Sequence, residues 1–217
     1  QGRSSRPGSP SSAEGSGTGA DPAEPAQPIL QIDPNYMHEA LELAETGQGV
    51  VNGQRNWAMS LASTCCTPGT GEYRWRVQLT NVTSERQQLI GIATREAKLG
   101  RHLGSDQYGY GMYCHNRRVY NGGSSTEATP NVQVETGIVL ELRLDTSAWR
   151  FTVLDPNAGE QTASSTSVRP DEYYPAISLG RPNEAATFVS PLMGPGDDSV
   201  GVDTSAPVQS QVPKASR

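Results

Sequence analysis

Glu141 and Asp145, four positions apart in "ELRLD", are the acidic pair with most to offer as catalysts, since two carboxyls can act as acid and base in glycoside hydrolysis. That chemistry needs a separation of roughly 5 to 9.5 Å. Four residues of extended chain span about 13 Å, and Arg143 falls between the two acids on the same face, so the three read as a surface charge ladder. A zinc site could be imagined from Cys65-Cys66 and Cys114-His115, but adjacent residues on an extended chain point to opposite faces and no C-x-x-C spacing is present. The thiols are expected to be small buried apolar groups. "DPNAGE" starts like a calcium loop and lacks the twelve-residue remainder, so Asp155, Asn157 and Gly159 are expected to form a hairpin turn. The glycines of "GTG" and "NGG" precede no helix and cradle no phosphate. There is no G-x-S-x-G elbow, and His38, His102 and His115 sit in unrelated contexts. The expectation is a protein that is not an enzyme, with no catalytic residue, no metal and no cofactor.

The chain around these residues has 217 positions, with 17 Lys and Arg against 23 Asp and Glu, a formal net charge of −6. Phosphate backbones select for a positive excess, so nucleic acid is not the expected partner. No apolar run approaches the roughly 20 residues needed to span a membrane. Residues 1–28 contain no Val, Ile, Leu, Met or aromatic residue, and 191–217 hold scattered valines without an aromatic anchor. Such segments cannot bury enough apolar surface to offset their ordering entropy, so both ends are expected to be disordered tails around one domain at 29–190. Three cysteines without framework spacing suit a reducing compartment, hence an intracellular and most simply cytoplasmic setting. The sequon Asn81-Val82-Thr83 carries little weight against that.

The elements that position any site must be strands, because the period is two. In "YRWRVQL", Tyr73, Trp75, Val77 and Leu79 share one face and Arg74, Arg76 and Gln78 the other. "GIVLELRLD" repeats the pattern with Ile138, Leu140, Leu142 and Leu144, and "WRFTVLD" with Trp149, Phe151 and Val153. Shorter strands are expected at Ala40–Leu43, Leu89–Ala93, Tyr108–Tyr113, Arg118–Tyr120, Ala176–Leu179 and Thr187–Val189, and a short helical turn at Asn35–Glu39. Turn signals such as "TPGTG", "YNGG" and "RPNE" separate them. Many short strands without a helical period predict an all-β antiparallel sandwich. The arginines of "YRWRV" alternate because the strand alternates, on a solvated sheet face, and the rings lie on the opposite side from where an RNA-reading sheet needs them.

Several ordered segments resemble a SPRY domain, including its longer B30.2 form. They are "GEYRWRVQL", "IGIAT", "LGSDQYGYGMY", "RRVYNGG", "GIVLELRLD" and "YYPAISL", with "IDPNYMHEALELAETGQGVV" upstream. Departures are Arg76 where an acidic residue is usual, Tyr108 in place of tryptophan, and "FTVLDPNAG" where the family has an aromatic pair and Asn-Gly. The resemblance implies a bent sandwich of two antiparallel sheets, of concanavalin-like architecture, that serves as a non-catalytic interaction module and binds through loops at one edge. By position those loops are Gln54–Trp57, Thr67–Thr70, Lys98–His102 and Gly180–Pro182, with Arg55, Trp57, Thr67, Thr70, Arg101, His102, Gly180, Arg181 and Pro182 as the partner-binding residues. Tryptophan and arginine are common interface anchors and arginine grips carboxylates, so the expected ligand is an acidic or polar stretch of protein or peptide, bound by a monomer. A ubiquitin-ligase role, which relatives serve, would require a further domain or subunit. The alternative reading is a lectin-like, carbohydrate-binding module, since sandwiches of this architecture also bind sugars.

Overall fold

The computed structural model describes residues 27–126, 134–159 and 162–196. Among them the chain forms fourteen strands. They are β1 (Ile32–Met37), β2 (Leu41–Leu43), β3 (Gly49–Asn52), β4 (Ala58–Ala62), β5 (Glu72–Asn81), β6 (Gln88–Ala93) and β7 (Gly109–Tyr113), then β8 (Val119–Asn121), β9 (Ser124–Ser125), β10 (Val139–Asp145), β11 (Arg150–Leu154), β12 (Ser164–Ser167), β13 (Tyr174–Leu179) and β14 (Ala185–Phe188). They build two seven-stranded antiparallel sheets, ordered β1-β4-β13-β6-β7-β8-β9 and β12-β11-β10-β5-β14-β3-β2. No helix among the described residues is long and apolar enough to cross a membrane.

The second sheet behaves as the period of two demands. Along β5, Tyr73, Trp75, Val77 and Leu79 are buried while the residues between them are half-exposed. Leu140, Leu142 and Leu144 of β10 and Phe151 and Val153 of β11 join them, packing against Ile90, Ile92, Met112 and Ile177 of the first sheet. The polar face is less open than a solvated ladder. The β5–β10 register sets Arg76 opposite Glu141, which is only 6% exposed and accepts hydrogen bonds from Arg76 (3.2 Å) and Arg143 (2.8 Å). Lateral pairing adds Arg76 of β5 to the same-strand Arg143, and two arginines over one carboxylate bury what the linear spacing alone left at the surface.

The first sheet is buried on both sides, so β4, β6 and β13 are buried at every position and read as continuous apolar runs rather than alternations. Its outer face is covered by the 94–108 connection, whose Ala97 and Leu103 pack on Met59, Leu61, Leu89, Ala93 and Ala176. Gly109 and Gly111 on β7 make room for this cover: a Cβ on Gly111 would lie 2.7 Å from Leu103 Cγ, and one on Gly109 2.8 Å from its Cδ1.

Three expectations are corrected or bounded. The helical turn at Asn35–Glu39 is instead the end of β1, through Met37, and the start of the turn into β2; β1 pairs with β4 through a register shift between Ile32 and Met37. Trp149 lies in the β10–β11 turn at φ 52 and packs partly on the core rather than extending the strand. The expected tails lie outside the described residues except for 27–28 and 191–196, and within the latter Met193 exchanges two 2.9 Å backbone hydrogen bonds with Arg74.

Candidate functional site

Strand register decides which turns meet. Leu179 pairs with both Ala58 and Gln88, Leu89 with Tyr113, Met112 with Val119, and Ala185 with both Asn81 and Val51. The connections 53–57, 82–87, 114–118 and 180–184 therefore emerge at one end of the sandwich, together with the entry to β10. The 94–108 connection leaves from the far end but crosses the sheet, and Met59 donates its N–H to Leu99 O at 2.9 Å, which returns Arg101 and His102 to the same end.

Two buried polar residues hold these turns in shape. Asn52, with no exposed surface, donates to Asn56 O and Leu179 O (both 2.9 Å) and accepts from Gln54 N–H (2.8 Å), fixing the 53–57 turn against β13. Glu184, also fully buried, accepts from the Thr83 hydroxyl and from the backbone N–H groups of Gln87, Gly180 and Arg181 at 2.7–3.1 Å. A buried carboxylate is tolerated when its lone pairs are filled in this way, and here it ties two turns together.

On this scaffold sits a closed set of four half-buried rings. Edge contacts run Trp57–His102 (5.5 Å between centroids), His102–Tyr120 (6.3 Å), Tyr120–Tyr113 (6.1 Å) and Tyr113–Trp57 (6.3 Å), and His115 tilts against Tyr113 at 5.9 Å. Burial pushes the Tyr113 phenol up from its ordinary value. Cations surround the rings: Arg55, Lys98, Arg101 and Arg118 are exposed, and Arg86 and Arg181 half-exposed. The accessible acids on the turns and strands at this end are Glu39, Glu42, Glu85, Asp106, Glu135 and Asp155, with Glu184 buried beneath them. Six accessible cations and six accessible acids thus share this end, with the arginines grouped around the rings.

Of the residues singled out from sequence, Arg55, Trp57, Arg101, His102, Gly180, Arg181 and Pro182 come together at this end. Gly180 is buried and contributes by its size, because a Cβ there would lie 3.0 Å from Trp57 Cη2 and 2.9 Å from Gln87 Cβ. Thr67 and Thr70 do not join them. Cys66 pairs with Tyr173 at the other end of β13, and the intervening β4 spans about 16 Å. There Thr67 N–H (3.1 Å) and the Thr70 hydroxyl (2.8 Å) bond Tyr73 OH, which stabilises the turn into β5. Sequence reasoning missed Glu85, Arg86, Tyr113, His115, Arg118, Tyr120 and Glu184. The available signal was parity: turns between successive antiparallel strands alternate ends, which puts "TSERQQ" and "CHNRR" at the same end as "RPNE".

No metal cluster of three or more His, Cys, Asp or Glu occurs among the described residues. Cys66 and Cys114 are buried and free, Cys65 is half-exposed and free, and burial pushes the Cys114 thiol up to about 12.

No protein-family model matches the chain, and no curated protein matches it in sequence. Solved structures do. The crystal structure of the SPRY domain of human HERC1 superposes at TM-score 0.61 with 18% identity, covering 73% of this chain and 97% of that one. The crystal structure of the TRIM65 PSpry domain gives 0.61 and 13%, covering 76% and 93%. Stonustoxin gives 0.57 and 14%, covering 76% of this chain and 27% of the toxin chain. The fold is SPRY-like.

Proposed function

We propose that this SPRY-like sandwich is a non-catalytic protein-interaction module that takes an acidic segment of a partner protein on the loop end built from 53–57, 82–87, 98–103, 114–118 and 180–184. The observation that carries the reading is the grouping of arginines around the aromatic set. Arg55, Arg101, Arg118 and Arg181 are accessible at one end and flank half-buried rings that can cover apolar parts of a ligand. Arginines placed beside apolar rings can grip the carboxylates of an acidic segment while the rings cover its apolar parts. Arg55, Arg101, Arg118 and Arg181 are the carboxylate-gripping groups, with Trp57, His102 and Tyr113 as the contact surface between them. The module acts as a monomer, and its three free thiols support a reducing, intracellular setting.

The test compares proteins retained from lysate by the full chain and by its Arg101→Glu, Arg118→Glu variant. Surface substitutions of this kind change stability by about 0.5 kcal/mol or less, so unfolding midpoints should agree within about 2 °C. A retained set rich in acidic segments and lost in the variant is the expected result. Identical sets with both proteins would remove the loop end from consideration.

A further inference from the structure

We propose that Glu85 is a resident competitor at this end: its carboxylate occupies the arginines that a ligand carboxylate takes over on binding. The inference rests on the acidic-partner reading above. Glu85 sits in the 82–87 turn with a side chain 45% exposed, and its two oxygens go to different partners. Oε2 accepts from Arg181 Nε, and Oε1 pairs with Arg55 Nη2 at 3.8 Å. It makes no other side-chain hydrogen bond among the described residues.

The contrast with Glu184, one turn away, separates structure from function. Glu184 is fully buried and ties backbone groups of both turns, so the fold requires it. Glu85 ties only side chains, one of them 75% exposed. Glu85 engages each arginine through one nitrogen, with Arg181 Nη1 donating separately to Gly180 O at 3.2 Å, whereas guanidinium and carboxylate interact best through two parallel bonds. Arg55 and Arg181 therefore retain donors for a carboxylate that approaches from solvent. Exposed pairs of this kind are weak enough to be exchanged by an incoming ligand. Arg86, next in sequence, adopts φ 49, and its N–H closes a tight turn to Thr83 O at 3.1 Å, which holds Glu85 at the tip facing the arginines.

In the unliganded protein, Glu85 keeps two cations ordered and partly neutralised, which selects against weakly acidic segments. A ligand must supply a better-placed carboxylate, or several. Replacing Glu85 should raise affinity for acidic ligands in general, an effect opposite in sign to that of replacing a contact residue.

The experiment measures fluorescence anisotropy of a labelled ten-residue oligoglutamate with the full-length chain at low and moderate salt. The proteins are wild type, Glu85→Gln, Glu135→Gln, Arg55→Ala/Arg181→Ala, and the triple variant. Freeing two surface ion pairs of ordinary strength corresponds to about a 3- to 10-fold gain in affinity for Glu85→Gln. Glu135 is an exposed acid at the same end with no arginine partner among the described residues, so Glu135→Gln removes the same charge and should gain less than about 2-fold. In the double-arginine background the gain from Glu85→Gln should largely vanish. Equal gains for both glutamine variants, or an undiminished gain without the arginines, would reduce Glu85 to general charge and overturn this inference while leaving the loop-end reading intact. Absence of binding by every variant, Glu85→Gln included, or binding indifferent to the arginines, would overturn the acidic-partner reading itself. Unfolding midpoints within about 2 °C confirm that the glutamine variants are folded.

Discussion

Gly111 and Leu103 provide a test of how the loop end is built. The 94–108 connection carries Arg101 and His102, and Leu103, 1% exposed, anchors it in the space above Gly109 and Gly111. Gly111 does not adopt positive φ, so alanine is compatible with its backbone. The added Cβ would lie 2.7 Å from Leu103 Cγ and 3.0 Å from its Cβ and Cδ2. Overpacking of that kind costs about 1–3 kcal/mol, offset by about 0.4–1 kcal/mol from the smaller entropy of the unfolded chain. Leu103→Ala alone should cost about 2–5 kcal/mol through lost burial and the cavity left behind. In the double variant the new methyl enters the space that Cγ vacated, so the two losses should fall short of additivity by about 1–3 kcal/mol. Urea unfolding of the four proteins closes the cycle, with a thermal shift of about 2–4 °C per kcal/mol as a check at this chain length. Additivity within about 0.5 kcal/mol would mean that Leu103 does not sit on Gly111, and the placement of Arg101 and His102 would fall with it.

Glu184→Gln should lower stability by about 2–5 kcal/mol, because the amide NH2 must face a pair of donors that now point at a carboxylate oxygen; a urea midpoint unchanged from wild type would contradict the four hydrogen bonds. Burial raises the Cys114 thiol from 9.0 to about 12, and a group raised on folding contributes stability that is complete below its unfolded value and is lost as pH rises toward the folded one. Stability should therefore fall between about pH 9 and 12, and Cys114→Ala should show a shallower fall over that window in urea titrations; parallel slopes would refute the assignment.

The fold class, and most of the strands in the second sheet, were determined by the sequence itself, because a sheet wet on one face must alternate polar and apolar residues, as Tyr73 to Leu79 and Leu140 to Leu144 do. Ala58–Ala62 escaped notice for the converse reason: buried on both faces by the core and the 94–108 cover, it has nothing to alternate. The identities of Arg55, Trp57, Arg101, His102 and Arg181 as candidates were legible from residue type and position. That their loops share an edge was implied by the family resemblance, whereas which rings and charges meet there follows from pairing across the sheet, such as Leu179 with Ala58 and Gln88. The same pairing moved Thr67 and Thr70 to the far end. It also set Arg76 opposite Glu141, which Arg143 already flanks on its own strand, and brought Glu85 to Arg181, 96 residues away. Short-range chemistry wrote the strands, whereas lateral register, set by the shared hydrophobic core, decided which charges face one another.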